Sequence, residues 1–135
     1  MSDTVELVRK VPMFAELDDD EMTWVADLAT EFEVPDGFVL LERGQPGSGM
    51  FIITDGSVTV ELPQGPVELG PGEFVGELPL LADGITRVAR VRATTPVKGL
   101  AISRMALSEL LQREPRVAVR MLPVLARRLA EAESS

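Results

Sequence analysis

The spacing of apolar residues divides the chain into a helical beginning, a strand-rich middle and a helical end. Over residues 1–29 and again over residues 105–135, apolar side chains recur every three or four positions, as they do on one face of a helix. Over residues 30–104, short apolar runs alternate with turns that contain glycine and proline. The pattern therefore predicts N-terminal helices, a β-region and two C-terminal helices, in that order.

Seven runs in the middle region have the composition of short strands. They are Thr30–Val34, Phe38–Arg43, Met50–Thr54, Ser57–Leu62, Val67–Leu69, Val88–Ala93 and Val97–Ser103. Many short strands at this spacing are typical of a β-sandwich or barrel and not of alternating strands and helices. The dipeptide Asp55-Gly56 separates two of the runs and predicts a tight hairpin there. We therefore expect a mainly β protein with flanking helices.

Polar and proline residues mark the ends of the predicted helices. The acids of Asp18–Glu21 precede an apolar run at helical spacing, which favours a helix N-terminus over a metal site. Near the C-terminus, one helix ends near Glu114, and a second begins with Pro115 in its first turn and runs to Glu133. Pro123 lies inside this second helix, where we expect it to kink the axis.

Length and composition exclude several classes of function. The 135 residues fit one domain. The chain has no cysteine and no histidine, which excludes disulfides, thiolate or imidazole metal sites and a Ser-His-Asp mechanism. A cupin-like enzyme usually holds its metal with histidines, which this chain lacks. Chemistry by carboxylates alone stays open, but no spacing of the carboxylates indicates it, so we expect neither catalysis nor a metal site. Because the chain has no apolar run of about 18 residues and no signal peptide, we expect no membrane association and a cytoplasmic location.

Charge is distributed unevenly along the chain. The net charge of −9 argues against a nucleic-acid partner. Residues 1–36 hold 11 acidic and two basic residues, whereas residues 87–128 hold ten of the 13 basic residues and two acidic ones. This distribution has two interpretations. In the first, the two regions attract each other or lie in solvent. In the second, the basic region concentrates positive potential around an anionic ligand.

One segment, residues 74–87, is too apolar for an ordinary loop and too interrupted for a strand. Gly76 and the short turn after it can present backbone N–H groups to an anion. Arg87 follows Glu77 by ten residues, and its guanidinium can bind phosphate oxygens. The Glu77 carboxylate can accept hydrogen bonds from sugar hydroxyls. These residues predict a sugar-phosphate site, and a surface ion pair between Glu77 and Arg87 is the alternative.

The same segment resembles the phosphate-binding cassette of the cyclic nucleotide-binding domain family. The matching residues are Gly76-Glu77-Leu78-x-Leu80 and Arg87-x-Ala89, preceded by blocks at Gly49–Val58 and Leu69–Glu73. The similarity covers nearly the whole chain and is greatest to the sensor domain of the bacterial catabolite activator protein. From this resemblance we expect the sensor domain without a DNA-binding domain. It implies one domain over residues 1–135, folded as a double-stranded β-helix (jelly-roll) barrel whose cassette spans residues 74–90.

The resemblance implies a ligand site without catalytic residues or a cofactor. Its members would be Gly76, Glu77, Leu78, Pro79, Arg87, Val88 and Ala89. Gly76 would allow close approach of the backbone, Glu77 would bind the ribose 2′-hydroxyl, and Arg87 would bind the cyclic phosphate. The implied function is a bacterial regulatory sensor of a cyclic nucleotide, with cAMP favoured over cGMP. Ligand binding would repack the C-terminal helices, and an unidentified protein effector would recognise the change.

Three positions leave a second interpretation open. Val88 has no hydroxyl where the activator has a serine, and Pro79 has no N–H to offer the phosphate. Ala132 and Glu133 replace the hydroxyls that contact the base in the activator. In this interpretation the pocket is degenerate and the domain is a ligand-independent interaction or dimerisation module. Helix 115–133 would then form a homodimer contact through Val117, Met121, Val124, Leu125 and Leu129.

Overall fold

A computed structural model describes residues 3–45, 49–77 and 89–133, and its elements follow the predicted order. Two helices and a 3-10 turn precede the strands: α1 (Asp3–Arg9), the turn Pro12–Phe14, and α2 (Asp19–Leu28). Two helices follow them: α3 (Arg104–Arg113) and α4 (Pro115–Glu133). The strands are β1 (Thr30–Val34), β2 (Val39–Leu41), β3 (Gly49–Asp55), β4 (Val58–Leu62), β5 (Gly65–Leu69), β6 (Phe74–Val75), β7 (Arg90–Ala93) and β8 (Val97–Ser103).

The strands form two four-stranded antiparallel sheets, with the orders β1-β8-β3-β6 and β2-β7-β4-β5. Buried apolar side chains from both sheets form one cluster, which includes Ile53, Val58, Val75, Val91 and Val97. This is the core of a two-layer β-structure, in which alternate residues of each strand face inward. The predicted mainly β class with flanking helices is therefore confirmed.

The hairpin predicted at Asp55-Gly56 is wrong. β3 and β4 lie in different sheets, so the chain crosses from one sheet to the other at Gly56. Gly56 has φ +88°, and a Cβ at this position would lie 2.8 Å from Thr95 Oγ1. A two-residue hairpin forms instead between β4 and β5, where Leu62 is paired with Gly65. The chain does turn at Asp55-Gly56, as the sequence indicates. However, β3 pairs with β8 and β6, and β4 pairs with β7 and β5, so that the turn connects two sheets and not two paired strands.

A second apolar cluster joins the helices to the outer face of the first sheet. Met50, Ile52, Leu100 and Ile102 supply the sheet side. The helices supply a larger set, which includes Val8, Phe14, Val25, Leu107, Leu110, Val117 and Met121. Because Val117 is 0% and Met121 2% exposed, the prediction that these two residues form a homodimer contact is wrong. They pack inside their own domain.

Hydrogen bonds cap the helices and ion pairs connect them. Asp18 accepts from the N–H of Glu21 at 2.8 Å, and the Glu21 carboxylate accepts from the N–H of Asp18 at 2.9 Å. The predicted N-cap is confirmed. Arg116 of α4 pairs with Glu21 and with Glu114, and Arg120 pairs with Glu16 at 3.2 Å. The acidic N-terminal and basic C-terminal regions therefore attract each other directly.

The last helix, α4, is continuous through Pro123. No helix in the described part of the chain combines the length and apolar character needed to cross a membrane.

Candidate functional site

The candidate site begins where the short strand β6 ends. Phe74 and Val75 are both buried, with Phe74 in the helix-side cluster and Val75 in the cluster between the sheets. β6 is held by its pairing with β3. Gly76 follows with φ +87°, a conformation that glycine adopts without the steric cost of a side chain. The backbone turns at Gly76 and so directs the next residue, Glu77, into the protein.

Among the charged residues that the structure describes, Glu77 alone is buried, with 4% of its surface exposed. A buried carboxylate is costly unless charged or hydrogen-bonding groups compensate it. Such a residue is therefore either tightly paired within the fold or part of a site that binds polar ligands.

The partner of Glu77 comes from the C-terminal helix. Arg128 Nη1 donates to Glu77 Oε1 at 3.1 Å, and Arg128 Nη2 donates to the carbonyl oxygen of Phe74 at 2.6 Å. The guanidinium carbon lies 4.7 Å from the centre of the Phe74 ring. The Arg128 side chain is 28% exposed. Arg128 therefore joins α4 to both the strand and the carboxylate of the candidate site.

The structure places three of the seven predicted site residues. Gly76 and Glu77 are adjacent at the end of β6, and Ala89 is buried directly before β7. The other four, Leu78, Pro79, Arg87 and Val88, lie outside the described residues, as do the side chains of Ala132 and Glu133. An approach of Arg87 to Glu77 stays a prediction.

Arg128 is the residue that the sequence-based prediction of the site missed, although the sequence contains a signal for it. Val117, Met121 and Val124 lie on the face of α4 that packs on the helix-side cluster. Arg128 continues that series at helical spacing. A charged residue on a buried helix face requires a buried partner, and Glu77 is the buried carboxylate.

Arg90, just beyond Ala89, is already bound to a carboxylate. Its Nε donates to Glu42 Oε1 at 3.0 Å, and this hydrogen bond holds the pKa of Glu42 below its ordinary value. Glu42 in turn raises the pKa of Arg90. Because both side chains are more than two-fifths exposed, this pair adds little to stability at neutral pH.

Comparisons with known proteins find similarity in sequence and in fold. The family model for the cyclic nucleotide-binding domain matches residues 31–114. The chain is 37% identical over 113 residues to the cyclic nucleotide-gated potassium channel mll3241 of Mesorhizobium japonicum, covering 84% of this chain and 31% of the channel. The chain thus spans about a third of the length of the curated relatives that it matches first.

Two solved structures have the same fold. The catabolite activator protein of Thermus thermophilus is 30% identical, with a TM-score of 0.77, and the match covers 90% of this chain and 60% of that one. The cAMP-bound structure of PfPKA-R (141–441) is 22% identical, with a TM-score of 0.82, and the match covers 96% of this chain and 45% of that one. At this identity the second likeness concerns the fold alone.

Proposed function

The chain belongs to the cyclic nucleotide-binding domain family, and on this premise we propose that it binds a cyclic nucleotide, cAMP in preference to cGMP, next to β6. The observation that carries the proposal is the buried carboxylate of Glu77, which follows a glycine in the left-handed region. A carboxylate in a partly dry site accepts strong hydrogen bonds from ribose hydroxyls. The matched channel is named for gating by cyclic nucleotides, and this name supports the proposal.

Three of the proposed site residues have distinct roles in the bound state. Gly76 allows the ligand to approach the backbone, Glu77 binds the ribose 2′-hydroxyl, and Arg87 binds the cyclic phosphate. A charge-assisted arginine–phosphate contact contributes about 1.5–3 kcal/mol, which is about 10- to 150-fold in affinity. Val88 carries no hydroxyl for a guanine base, which favours adenine. We propose no catalytic step.

Isothermal titration calorimetry with cAMP and cGMP tests ligand binding. We expect micromolar or tighter binding of cAMP, weaker binding of cGMP, and a loss of about 10- to 150-fold in Arg87→Ala. Arg127→Ala is the matched control, because Arg127 is exposed and lies outside the proposed site. Absence of heat at millimolar nucleotide would show that the pocket does not bind these ligands.

The proposed mechanism uses the contact between Glu77 and Arg128. The ribose and α4 would engage the same carboxylate, so that binding the ligand changes how α4 is held. A shift of α4 also moves α3, against which it packs, and an effector protein would recognise the rearranged helices. Regulation therefore depends on the pairing of one buried carboxylate.

The single tryptophan reports this rearrangement. Trp24 lies on α2, and the guanidinium carbon of Arg113 of α3 is 4.4 Å from its ring centre. We expect cAMP to change the emission of Trp24 in the wild-type protein and to change it less in Arg128→Ala. Calorimetric binding of cAMP without any change in Trp24 emission would contradict the repacking mechanism while leaving ligand binding intact.

The second candidate function is a ligand-independent interaction module. It is favoured by Val88 and Pro79 and by the exposed apolar side chains on α4. The titration separates the two functions, because only the first requires nucleotide binding.

A further inference from the structure

Strand β1 lies at one edge of the first sheet, and its outer edge pairs with no strand in the described part of the chain. On its inner side, all five residues of β1, Thr30–Val34, are paired in register with β8. An edge strand presents backbone N–H and C=O groups to which another extended chain can add. Because β8 holds β1 in the extended conformation, this edge is already ordered for such an addition.

The other sheet edges among the described residues have features that hinder the addition of a strand. β6 contains two residues, and β2 contains three and is paired irregularly with β7. β5 contains Pro66, which has no backbone N–H to donate. β1 has five residues without glycine or proline, and its register with β8 is regular. Of these four edges, β1 is therefore the one best suited to accept a further strand.

A groove beside β1 offers space for the side chains of an added chain. It has a volume of about 740 Å³ and is lined by residues of α1 and of β1, β3 and β8. Leu7 and Phe32 contribute apolar surface, and the carboxylates of Glu31 and Glu33 lie along β1. Since these two glutamates are two positions apart, their side chains point to the same face of the strand. Alternate side chains of a strand next to β1 would lie beside these carboxylates.

The charges around β1 indicate that the added chain is basic. Four acidic and two basic side chains line the groove: Glu6, Glu31, Glu33, Asp55, Lys10 and Lys98. A second copy of β1 is a poor occupant, because it would bring the same glutamates of two copies together. An extended segment with lysine or arginine at alternate positions instead places cations against Glu31 and Glu33.

We infer that β1 is a docking edge for an extended basic segment of another protein, which adds to the first sheet as a further strand. Backbone hydrogen bonds to β1 supply the affinity, and the carboxylates of Glu31 and Glu33 select alternating basic side chains. The inference goes beyond the proposed function, because the edge contains none of the proposed nucleotide-site residues. Docking requires no nucleotide, so the two functions are tested separately.

Fluorescence anisotropy of a labelled peptide with alternating lysine and valine tests the docking to the whole chain. A peptide of about six residues, capped at both ends, matches the length of β1. We expect a dissociation constant of about 10–100 µM at low salt, which weakens as added salt screens the exposed charges. A peptide with glutamate in place of lysine should not bind. Equal binding of the two peptides, or no binding of the lysine peptide at about 1 mM, would overturn the inference.

The variant Glu33→Lys tests whether the peptide binds beside β1, and Glu68→Lys is its matched control. Glu68 is exposed on β5, an edge strand of the other sheet, and both variants change the net charge equally. We expect Glu33→Lys to weaken binding about five- to tenfold and Glu68→Lys to leave it nearly unchanged. Thermal melting verifies that both variants fold. Equal weakening in the two variants would show attraction by net charge alone and would contradict a site at β1.

The backbone pairing is tested with a modified peptide and by amide hydrogen exchange. N-methylation of two adjacent central residues keeps the side chains but removes one N–H from each edge of the peptide. We expect this peptide to bind at least about fivefold more weakly. The lysine peptide should also slow the exchange of amides in β1 and leave those in β5 unchanged. Binding that is insensitive to N-methylation, or that protects no amide of β1, would refute strand addition.

Discussion

Replacing Arg128 with alanine is expected to destabilise the fold by about 3 kcal/mol. The variant Arg128→Ala removes the charged partner of the Glu77 carboxylate, the hydrogen bond to the Phe74 carbonyl and the stacking on the Phe74 ring. Removing one member of a fully buried ion pair costs about 3–5 kcal/mol, because the other charge stays buried. The exposed 28% of the Arg128 side chain lets water reach Glu77 in the variant, which reduces this cost to about 2–3 kcal/mol.

The lost stacking adds about 0.5–1 kcal/mol, so that the total is near 3 kcal/mol. For a chain of this length, 1 kcal/mol corresponds to about 3–5 °C in melting temperature. We therefore expect Arg128→Ala to melt about 10 °C below the wild-type protein. Arg127→Ala, at the exposed neighbouring position, should change stability by no more than about 0.5 kcal/mol.

Urea denaturation followed by circular dichroism measures these differences at a protein concentration where the chain is monomeric. Glu77→Gln and the double variant complete a double-mutant cycle, for which we expect a coupling energy of about 1.5–3 kcal/mol. Additive single effects, or an Arg128→Ala variant as stable as Arg127→Ala, would refute the reasoning that Arg128 compensates a buried charge.

Three further predictions follow from other parts of the fold. Gly99→Ala should destabilise by about 3 kcal/mol in urea denaturation, because the added Cβ would overlap the carbonyl oxygen of Ile52; a change below about 1 kcal/mol would contradict this. The pKa of Glu42 is lowered chiefly by the hydrogen bond from Arg90, so the stability from this pair is present above about pH 4.5 and is lost as the pH falls through the lowered pKa. The urea midpoint of Glu42→Gln should therefore fall less than that of the wild-type protein between neutral pH and about pH 3. If the urea midpoints of the two proteins fall in parallel with pH, the Glu42–Arg90 pair does not contribute this stability. Because Met121 is buried, Met121→Ala should lower the free energy of unfolding by about 2–5 kcal/mol in the same assay. A near-neutral effect would show that this side chain does not belong to the core.

Much of the local structure could be predicted from the sequence. Asp18 with Glu21 specifies a capping box, Pro115 begins the last helix, and the alternation of apolar runs and turns specifies the strands. These features depend on residues a few positions apart, whose interactions form in nearly the same way in any fold. The short β6 was missed because two residues are too few to show a period.

Only those residues of the candidate site that are neighbours in the sequence could be predicted together. Gly76 and Glu77 are adjacent in sequence and were identified as a pair. Arg128 lies 51 positions from Glu77, and the sequence pattern gives no distance between them. The helical spacing showed that α4 has an apolar face, and the packing against the sheet decided which residues that face contains.

The sequence by itself determined the order of elements and the helix ends, since each depends on local backbone preferences. Only the tertiary structure decided that Gly56 joins two sheets and that α4 supplies the partner of Glu77. It also decided that the apolar residues of α4 divide between an inner and an outer face. The physical reason is that hydrophobic burial is non-directional. A sequence shows which side chains are apolar, but the packing of segments that are distant in sequence determines which residues these side chains contact.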